Sequence, residues 1–189
     1  MPRRPTRTVP TALLTGPQSE GAWPAWLAAQ LKAAGRDVRQ LRIDAGEPKP
    51  DDLTDLVQDW PQDGFDVVAH GWGCLLWLRH VAAGAPGPRP ARVALVAPPS
   101  ATEAPDGLAA FYPVPLDIDA VRRAADGTVL VGSDNDPACP AGVALDYGAP
   151  LKMATSVLPG AGGLTAADGF AEWSAVLDWC GRDNLAFRV

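Results

Sequence analysis

Short apolar runs alternate with helix-like segments through most of the 189-residue chain, and this alternation limits the folds that the chain can adopt. Most of the runs are continuously apolar, which is typical of strands that are buried on both faces of a parallel sheet. Helices between such strands cover the two faces of the sheet. The pattern therefore predicts an α/β fold, a compact three-layer αβα sandwich with a mostly parallel sheet.

The predicted elements follow one another as strand and helix. The predicted strands are Thr8–Leu14, Asp37–Ile43, Asp66–Ala69, Arg92–Ala97, Thr128–Gly132 and Lys152–Leu158. The predicted helices, which carry apolar residues at helical spacing, are Trp23–Ala34, Asp51–Trp60, Cys74–Ala83, Pro140–Tyr147 and Gly169–Cys180. Since a chain of this length fits one core, we expect a tail over residues 1–7 and a single domain over residues 8–189.

Composition and charge exclude several classes of partner. The net charge of −6 disfavours nucleic acid or an anionic membrane as the main partner. No apolar run is long enough to span a membrane, and the basic start lacks the apolar stretch of a signal peptide. The cysteines Cys74, Cys139 and Cys180 are odd in number and lack metal spacing. We therefore expect a cytoplasmic protein with reduced thiols and with neither a metal nor a cofactor.

The stretch Val67–His80, VVAHGWGCLLWLRH, joins a buried strand to an apolar helix through a tight turn. In one large class of hydrolases such a turn, written G-x-S-x-G, carries the catalytic serine. Here the turn reads AHGWG, with Gly71 where the motif has serine. Sites in parallel sheets form past the carboxyl ends of the strands. The loops at those ends are Thr15–Glu20, His70–Gly73, Pro98–Ala101, Ser133–Asp136 and Pro159–Thr165.

Several segments together resemble the small single-domain serine hydrolases of the YdeN and retinoblastoma-binding-protein-nine type. The segments are VVAHGWGCLLWLRHVA, VALVAPPS, FYPVPL, VGSDNDPACP and LPGAGGLTAADGFAEW. Members of that family have an A-H-S-x-G elbow, an aspartate in an N-D-P turn, and a G-H pair before a closing G-F-x-x-W segment. The resemblance places the nucleophile at Gly71, the acid at Asp136 and the base at Gly163. It implies an α/β-hydrolase fold whose triad is reduced to Asp136, although an aspartate before proline is also a common turn former.

The resemblance also implies a pocket around Gly16, Pro17, His70 and Trp72. The backbone N–H of Trp72 would complete an oxyanion hole with the loop at Gly16 and Pro17. The indole of Trp72 is expected to cover the space that the serine and histidine side chains would fill. We expect His70 to hold the turn. Glycine at position 71 would adopt the positive φ of such a turn with less strain than serine.

Without a hydroxyl at Gly71 or an imidazole at Gly163, the chemistry of the family has neither nucleophile nor base. The leading hypothesis is a non-catalytic homologue that binds a small molecule or a protein, and a homodimer is compatible with it. Two alternatives stay open. One is an active hydrolase of small esters or amides with a relocated nucleophile, for which Ser19, Ser100 and Ser133 lie in suitable loops. The other is a purely structural or dimerising module.

Overall fold

The computed structural model describes residues 9–44, 51–60, 64–84, 87–183 and 187. Its strands are β1 (Thr11–Thr15), β2 (Val38–Arg42), β3 (Asp66–His70), β4 (Arg92–Val96), β5 (Gly127–Ser133) and β6 (Ala154–Leu158). Its helices are α1 (Trp23–Ala33), α2 (Asp51–Val57), α3 (Trp72–Ala82), α4 (Ile118–Ala124), α5 (Ala149–Leu151) and α6 (Ser174–Gly181). The predicted tail, residues 1–7, lies outside the described residues. Among those that are described, no helix is long and apolar enough to cross a membrane.

All the described strands pair in parallel within one sheet, in the order β2-β1-β3-β4-β5-β6. Side chains along each central strand alternate between two apolar clusters, for example Val67 and Val68 of β3, so both faces of the sheet are buried. Helices α2, α3, α4 and α5 contribute to one cluster, and α1 and α6 to the other. This arrangement confirms the predicted three-layer α/β fold.

The strand order places a crevice where the chain reverses direction across the sheet. After β1 the chain moves outward to β2 and then returns to the other side of β1 to form β3. The loops that leave the carboxyl ends of β1 and β3 therefore diverge, and ligands of open α/β sheets bind at such a point. The loop after β1 and the turn at Gly71 meet there.

The observed helices differ from the predicted ones at several points. Helix α6 begins at Ser174, five residues after the predicted start at Gly169, and α2 ends at Val57, three residues before the predicted end at Trp60. Helix α3 begins at Trp72, two residues before the predicted start. The helix predicted over Pro140–Tyr147 is instead a π-helical turn at Ala144–Gly148 that runs into α5. Helix α4 was not predicted, because seven residues show too little periodicity. It is capped by Asp117, whose Oδ1 accepts a hydrogen bond from the N–H of Ala120 at 2.8 Å.

A buried ion pair holds the opposite end of the sheet. Asp66 and Arg92 are paired in register as the first residues of β3 and β4. The Arg92 guanidinium donates to both Asp66 oxygens, at 3.1 and 2.6 Å, and lies 4.3 Å from the centre of the Trp179 ring. It also donates to the carbonyl of Trp179 at 3.1 Å, so it fastens α6 to the sheet. Such a bidentate pair depends on both partners, because removal of one leaves a buried charge.

Candidate functional site

The sharp turn between β3 and α3 is built around two glycines. Gly71 has φ 57° and ψ −116°, a conformation that strains a residue with a side chain. Its N–H donates to the carbonyl of Val96 at 2.9 Å, which ties the turn to β4. A Cβ on Gly73 would lie 2.2 Å from the carbonyl oxygen of Leu14, so glycine there lets α3 pack directly on β1. The local geometry is that of the strand–turn–helix elbow that the sequence predicts.

The side chain of Gln18 occupies the space directly above Gly71. A Cβ added to Gly71 would lie 1.4 Å from Gln18 Nε2 and 2.4 Å from its Cδ. The Gln18 carboxamide thus fills the volume in which the side chain of a nucleophile would begin. Gln18 lies in the helical turn Pro17–Ser19 that follows β1. Its Oε1 is sealed from solvent and has no hydrogen-bond partner among the described residues.

Gln18, not Trp72, supplies the three atoms nearest to the Cβ position of Gly71. That the Trp72 indole covers the remaining space of the absent serine and histidine side chains stays a prediction. The Trp72 ring is half-buried, forms part of a cavity wall and lies 6.4 Å from the ring of Phe111. No pattern in the sequence marks Gln18, apart from its place in a loop at the carboxyl end of β1.

The residues expected at an oxyanion hole provide few donors. Pro17 has no N–H. The N–H of Gly16 faces the Ser19 hydroxyl oxygen at 3.5 Å. Trp72 is the first residue of α3, and N–H groups in the first turn of a helix have no acceptor within the helix. Of the three, only the Trp72 N–H is placed to donate to a developing negative charge.

His70 connects three of the loops that surround the site. Its Nδ1 lies 2.8 Å from Ser19 Oγ, and its Nε2 lies 3.0 Å from the carbonyl oxygen of Gly163. Since a carbonyl only accepts, Nε2 carries the proton, and Nδ1 accepts from the Ser19 hydroxyl. Burial lowers the pKa of His70 to about 4, so the ring is neutral at pH 7. Its contacts hold the turn at Gly71 between the first and last loops.

Asp136 lies past the end of β5 and is 4% exposed. Its Oδ1 accepts a hydrogen bond from the N–H of Ala138 at 2.8 Å, whereas its Oδ2 is sealed from solvent without a partner among the described residues. Burial raises the pKa of this carboxyl above its usual value. A Cβ on Gly163 would lie 3.5 Å from Asp136 Oδ1, an ordinary contact distance. A side chain at position 163 would therefore face Asp136.

The loop after β6 keeps its shape through side-chain caps. Residues 133–135 each accept one hydrogen bond from the backbone of residues 160–162. The bonds run from Ala161 N to Ser133 Oγ (2.9 Å), from Gly162 N to Asn135 Oδ1 (2.8 Å) and from Gly160 N to Asp134 Oδ1 (2.7 Å). Asp168 Oδ2 accepts from the N–H of Gly163 at 3.1 Å and from Thr165 Oγ1 at 2.7 Å. These bonds hold residue 163 beside Asp136.

Ser133 and Ser100, two of the serines considered as relocated nucleophiles, have turn-forming contacts. Ser133 Oγ bonds Asn135 Oδ1 at 2.6 Å and the carbonyl of Leu158 at 3.0 Å, in addition to capping the last loop. Ser100 Oγ accepts from the N–H groups of Thr102 and Glu103, each at 3.2 Å. Neither hydroxyl contacts a histidine. Among these three serines, Ser19 has the histidine contact.

A cavity of about 300 Å³ opens between these loops. Trp72, Pro99 and Pro105 give it a mainly apolar wall, and Gln18 and Asp136 line it with polar groups. Its size lies at the lower end of the range for small-molecule sites. The structure thus brings Gln18, Gly71, Asp136 and Gly163 to one place at the carboxyl end of the sheet.

Three comparisons with solved structures agree on the fold. The ydeN gene product of B. subtilis is 19% identical with a TM-score of 0.67, over 89% of this chain and 95% of that one. A YdeN-like protein of Pectobacterium atrosepticum is 18% identical with a TM-score of 0.61, over 92% and 89%. The esterase domain of a Rhodothermus marinus protein is 19% identical with a TM-score of 0.56, over 88% and 82%. At these identities the likeness shows the α/β-hydrolase fold alone.

No protein of curated function matches the chain by sequence. The family model described as Serine hydrolase, however, matches residues 15–181, which include the loop after β1, the turn at Gly71, the Asp136 loop and the loop of Gly163. Taken with the fold and with the elbow between β3 and α3, this match establishes that the chain belongs to the serine hydrolase family.

Proposed function

We propose that this protein is a non-catalytic member of the serine hydrolase family that binds a small molecule in the cavity lined by Gln18, Trp72 and Asp136. The observation that carries the proposal is the position of Gln18. Its carboxamide lies where the side chain of a nucleophile would begin, with Nε2 1.4 Å from the Cβ position of residue 71. Because a neighbouring residue fills the place of the nucleophile, the site is suited to binding a ligand and not to acyl transfer.

The chemistry that the family mechanism requires is missing at two further points. Gly163 provides no base, although a Cβ at this position would lie 3.5 Å from Asp136 Oδ1. Pro17 cannot donate to an oxyanion, which leaves fewer donors than such a hole usually has. In serine proteases the loss of triad members costs about 10⁴- to 10⁶-fold in rate, and the remainder depends on an intact oxyanion hole. Turnover by the family mechanism is therefore negligible in this proposal.

The features that a binding protein needs are present. The cavity is concave and mainly apolar, with a few polar groups that converge on it. His70 and the caps from residues 133–135 hold the surrounding loops in place. A dimerising role and a cytoplasmic location remain predictions from the sequence.

A second candidate function rests on the pair formed by Ser19 and His70. The Ser19 hydroxyl donates to His70 Nδ1 at 2.8 Å, and His70 Nε2 donates to a backbone carbonyl at 3.0 Å. This resembles a nucleophile, a base and an orienting group. Burial opposes this function, because Ser19 is 8% exposed and the pKa of His70 is lowered to about 4, which makes the ring a weak base.

The test compares esterase activity and active-site labelling across three forms of the protein. The forms are the wild type, a Ser19→Ala variant, and a Gly71→Ser/Gly163→His variant that also carries Gln18→Ala to make room. We expect the wild type to hydrolyse p-nitrophenyl acetate no faster than Ser19→Ala and to resist a fluorophosphonate probe. Labelling of the wild type that Ser19→Ala abolishes would establish the relocated nucleophile and overturn the proposal.

A further inference from the structure

The two outer strands of the sheet, β2 and β6, differ in how they are protected against further pairing. An edge strand presents unpaired N–H and C=O groups, and charged side chains are one means by which proteins block pairing there. On β2, Arg39 pairs with Asp59, and Arg42 pairs with Asp44 at 3.2 Å. The sequence of β6, ATSVL, has no charged residue and no proline. Among the described residues no strand pairs with the outer side of β6, so this edge is open to a further strand.

The backbone groups on the outer side of β6 belong to Thr155 and Val157. The carbonyl of Leu158 accepts from the N–H of Asp134 at 3.3 Å, so the backbone of Leu158 faces β5. Backbone groups of successive residues in a strand point to opposite sides, so those of Ser156 also face β5 and those of Thr155 and Val157 face outward. No backbone hydrogen bond from the described residues outside the sheet reaches these two residues. Two N–H groups and two carbonyls are therefore available at this edge.

These outward groups are self-complementary about a two-fold axis. When a second β6 runs antiparallel with Ser156 opposite Ser156, Thr155 of each copy lies opposite Val157 of the other. Residues paired in this way exchange both N–H···O=C bonds, so the two pairs form four backbone hydrogen bonds. The same register ends the pairing on both sides. Pro159 has no N–H, and the N–H of Met153 already donates at 3.0 Å to a carbonyl of the π-helical turn before α5.

The side chains of β6 fit the same arrangement. Thr155 opposite Val157 is a pair of β-branched residues, and both residue types are common in strands because their side chains pack well on a pleated surface. Val157 is 45% exposed, so pairing removes apolar surface from water. Ser156 lies opposite its own copy at the axis, where two small side chains fit without like charges.

The charges at the two ends of β6 favour an antiparallel second copy. Lys152 precedes the strand, and Asp134 lies at its other end, where its Oδ1 accepts from the N–H of Gly160 at 2.7 Å. Both side chains are exposed, and neither forms an ion pair with a described residue. Arg122 and Asp126, which are also near the start of β6, have opposite signs. An antiparallel pair brings the lysine end of each copy to the aspartate end of the other, whereas a parallel pair would bring like ends together.

We propose that β6 is a dimerisation strand, at which a second copy of this chain pairs antiparallel about Ser156 and joins the two sheets into one continuous sheet. The inference goes beyond the proposed function and does not depend on it, because no residue of β6 lines the cavity. A contact confined to one short strand is smaller than the ~1,200 Å² typical of a stable interface. The dimer therefore forms reversibly as the protein concentration rises.

Sedimentation equilibrium of the full chain tests the association. We expect the wild type to pass from monomer to dimer as its concentration rises from about 1 μM to about 1 mM. Val157→Lys places a charge at the paired edge and should weaken the dimer at least about tenfold. Gln40→Lys is the matched control, because it adds the same charge at an exposed position of the other edge strand, and it should change the dissociation constant by less than about twofold. A wild type that stays monomeric over this range, or a dimer that Val157→Lys leaves unchanged, overturns the proposal.

Disulfide crosslinking tests the register with a second pair of variants. In the proposed pairing the two Ser156 residues form the non-hydrogen-bonded pair at the axis, with Cα atoms about 4.5 Å apart, a separation that a disulfide spans. The two Val157 residues lie about 8 Å apart, which is beyond its reach. A Ser156→Cys variant should therefore form a covalent dimer under mild oxidation, and Val157→Cys should not, although Val157 is the more exposed residue.

The natural cysteines do not compete in this experiment, because Cys74, Cys139 and Cys180 are buried. Circular dichroism of each variant shows whether it has folded before it is oxidised. Crosslinking of Ser156→Cys alone supports the antiparallel register. Equal crosslinking of the two variants would contradict it, since a parallel pair places both cysteines opposite their own copies. No crosslinking of Ser156→Cys in a folded sample overturns the proposal.

Discussion

Gly71 and Gly163, on which the family resemblance places the nucleophile and the base, differ in what surrounds them. At Gly71 the Cβ position is filled, with Gln18 Nε2 only 1.4 Å away, and the backbone has φ +57°. At Gly163 a Cβ would meet Thr165 and Asp136 at 3.4 and 3.5 Å, and the backbone lies outside the left-handed region. One position is closed by a neighbour, and the other remains open to a side chain. A catalytic side chain is therefore much harder to introduce at position 71 than at position 163.

The largest expected effect follows a Gly71→Ser substitution. The new side chain adopts a strained φ, which costs about 1–3 kcal/mol, and it overlaps Gln18, which costs about as much again. We expect a loss of about 4 kcal/mol in the free energy of unfolding, measured by urea denaturation. Adding Gln18→Ala should restore about half of that loss. If the single variant is as stable as the wild type, the space above Gly71 is not closed in the way described.

The next effect concerns His70, which bonds to the loops of both glycine positions. Its folded pKa of about 4 lies below the ordinary histidine pKa of 6.5, so the folded state binds fewer protons than the unfolded state between these values. Stability is therefore complete above pH 6.5 and falls, as the pH drops to about 4, by on the order of 3 kcal/mol.

The measurement for His70 is the free energy of unfolding as a function of pH. A His70→Gln variant has no titrating ring and should lack this part of the slope, whatever its overall stability. His80→Gln is the matched control, because it removes the only other histidine of the chain, which is half-buried on α3. If the slope is lost in the His80→Gln variant and kept in the His70→Gln variant, the titrating ring is His80 and the prediction for His70 is wrong.

Gly163→His should have a smaller effect on stability than Gly71→Ser. Its Cβ meets its neighbours at ordinary distances, and the imidazole faces Asp136. We expect a change of less than about 1 kcal/mol. We also expect an NMR titration of the new ring to give a pKa above the usual histidine value, because the carboxylate favours the charged form. A loss as large as that of Gly71→Ser would remove the contrast between the two positions.

Asp136→Asn should have the smallest effect and should raise the stability at neutral pH. Burial raises the pKa of Asp136 in the folded state, so the carboxyl contributes stability at low pH that is lost as the pH rises from its usual pKa to the raised one. Asparagine does not ionise and avoids this loss. We expect a rise in Tm at pH 7 that vanishes below the usual aspartate pKa. A lower Tm of the variant at pH 7 would mean that the ionised Asp136 carboxylate stabilises the folded protein.

The sequence predicts much of this molecule because several signals are local. Continuous apolar runs between helical segments predict the sheet, and the turn at Gly71 and the loop of Asp136 follow strands directly. Gln18 could not be predicted, because the path of the loop after β1 over the turn after β3 decides where its side chain lies. Glutamine in a loop carries no pattern of its own. The expectation for Trp72 rests on its place next to the turn in the sequence, and that adjacency holds no information on the loop that follows β1.

The caps from residues 133–135 hold the backbone of residues 160–162 through side chains that lie outside the last loop. We therefore expect position 163 to accept different side chains while the backbone that presents them to Asp136 stays in place. A Gly163→Cys substitution would offer a thiol for a fluorescent or spin label at the wall of the cavity. A protein labelled at that point would act as a sensor whose signal reports directly whether the cavity is occupied.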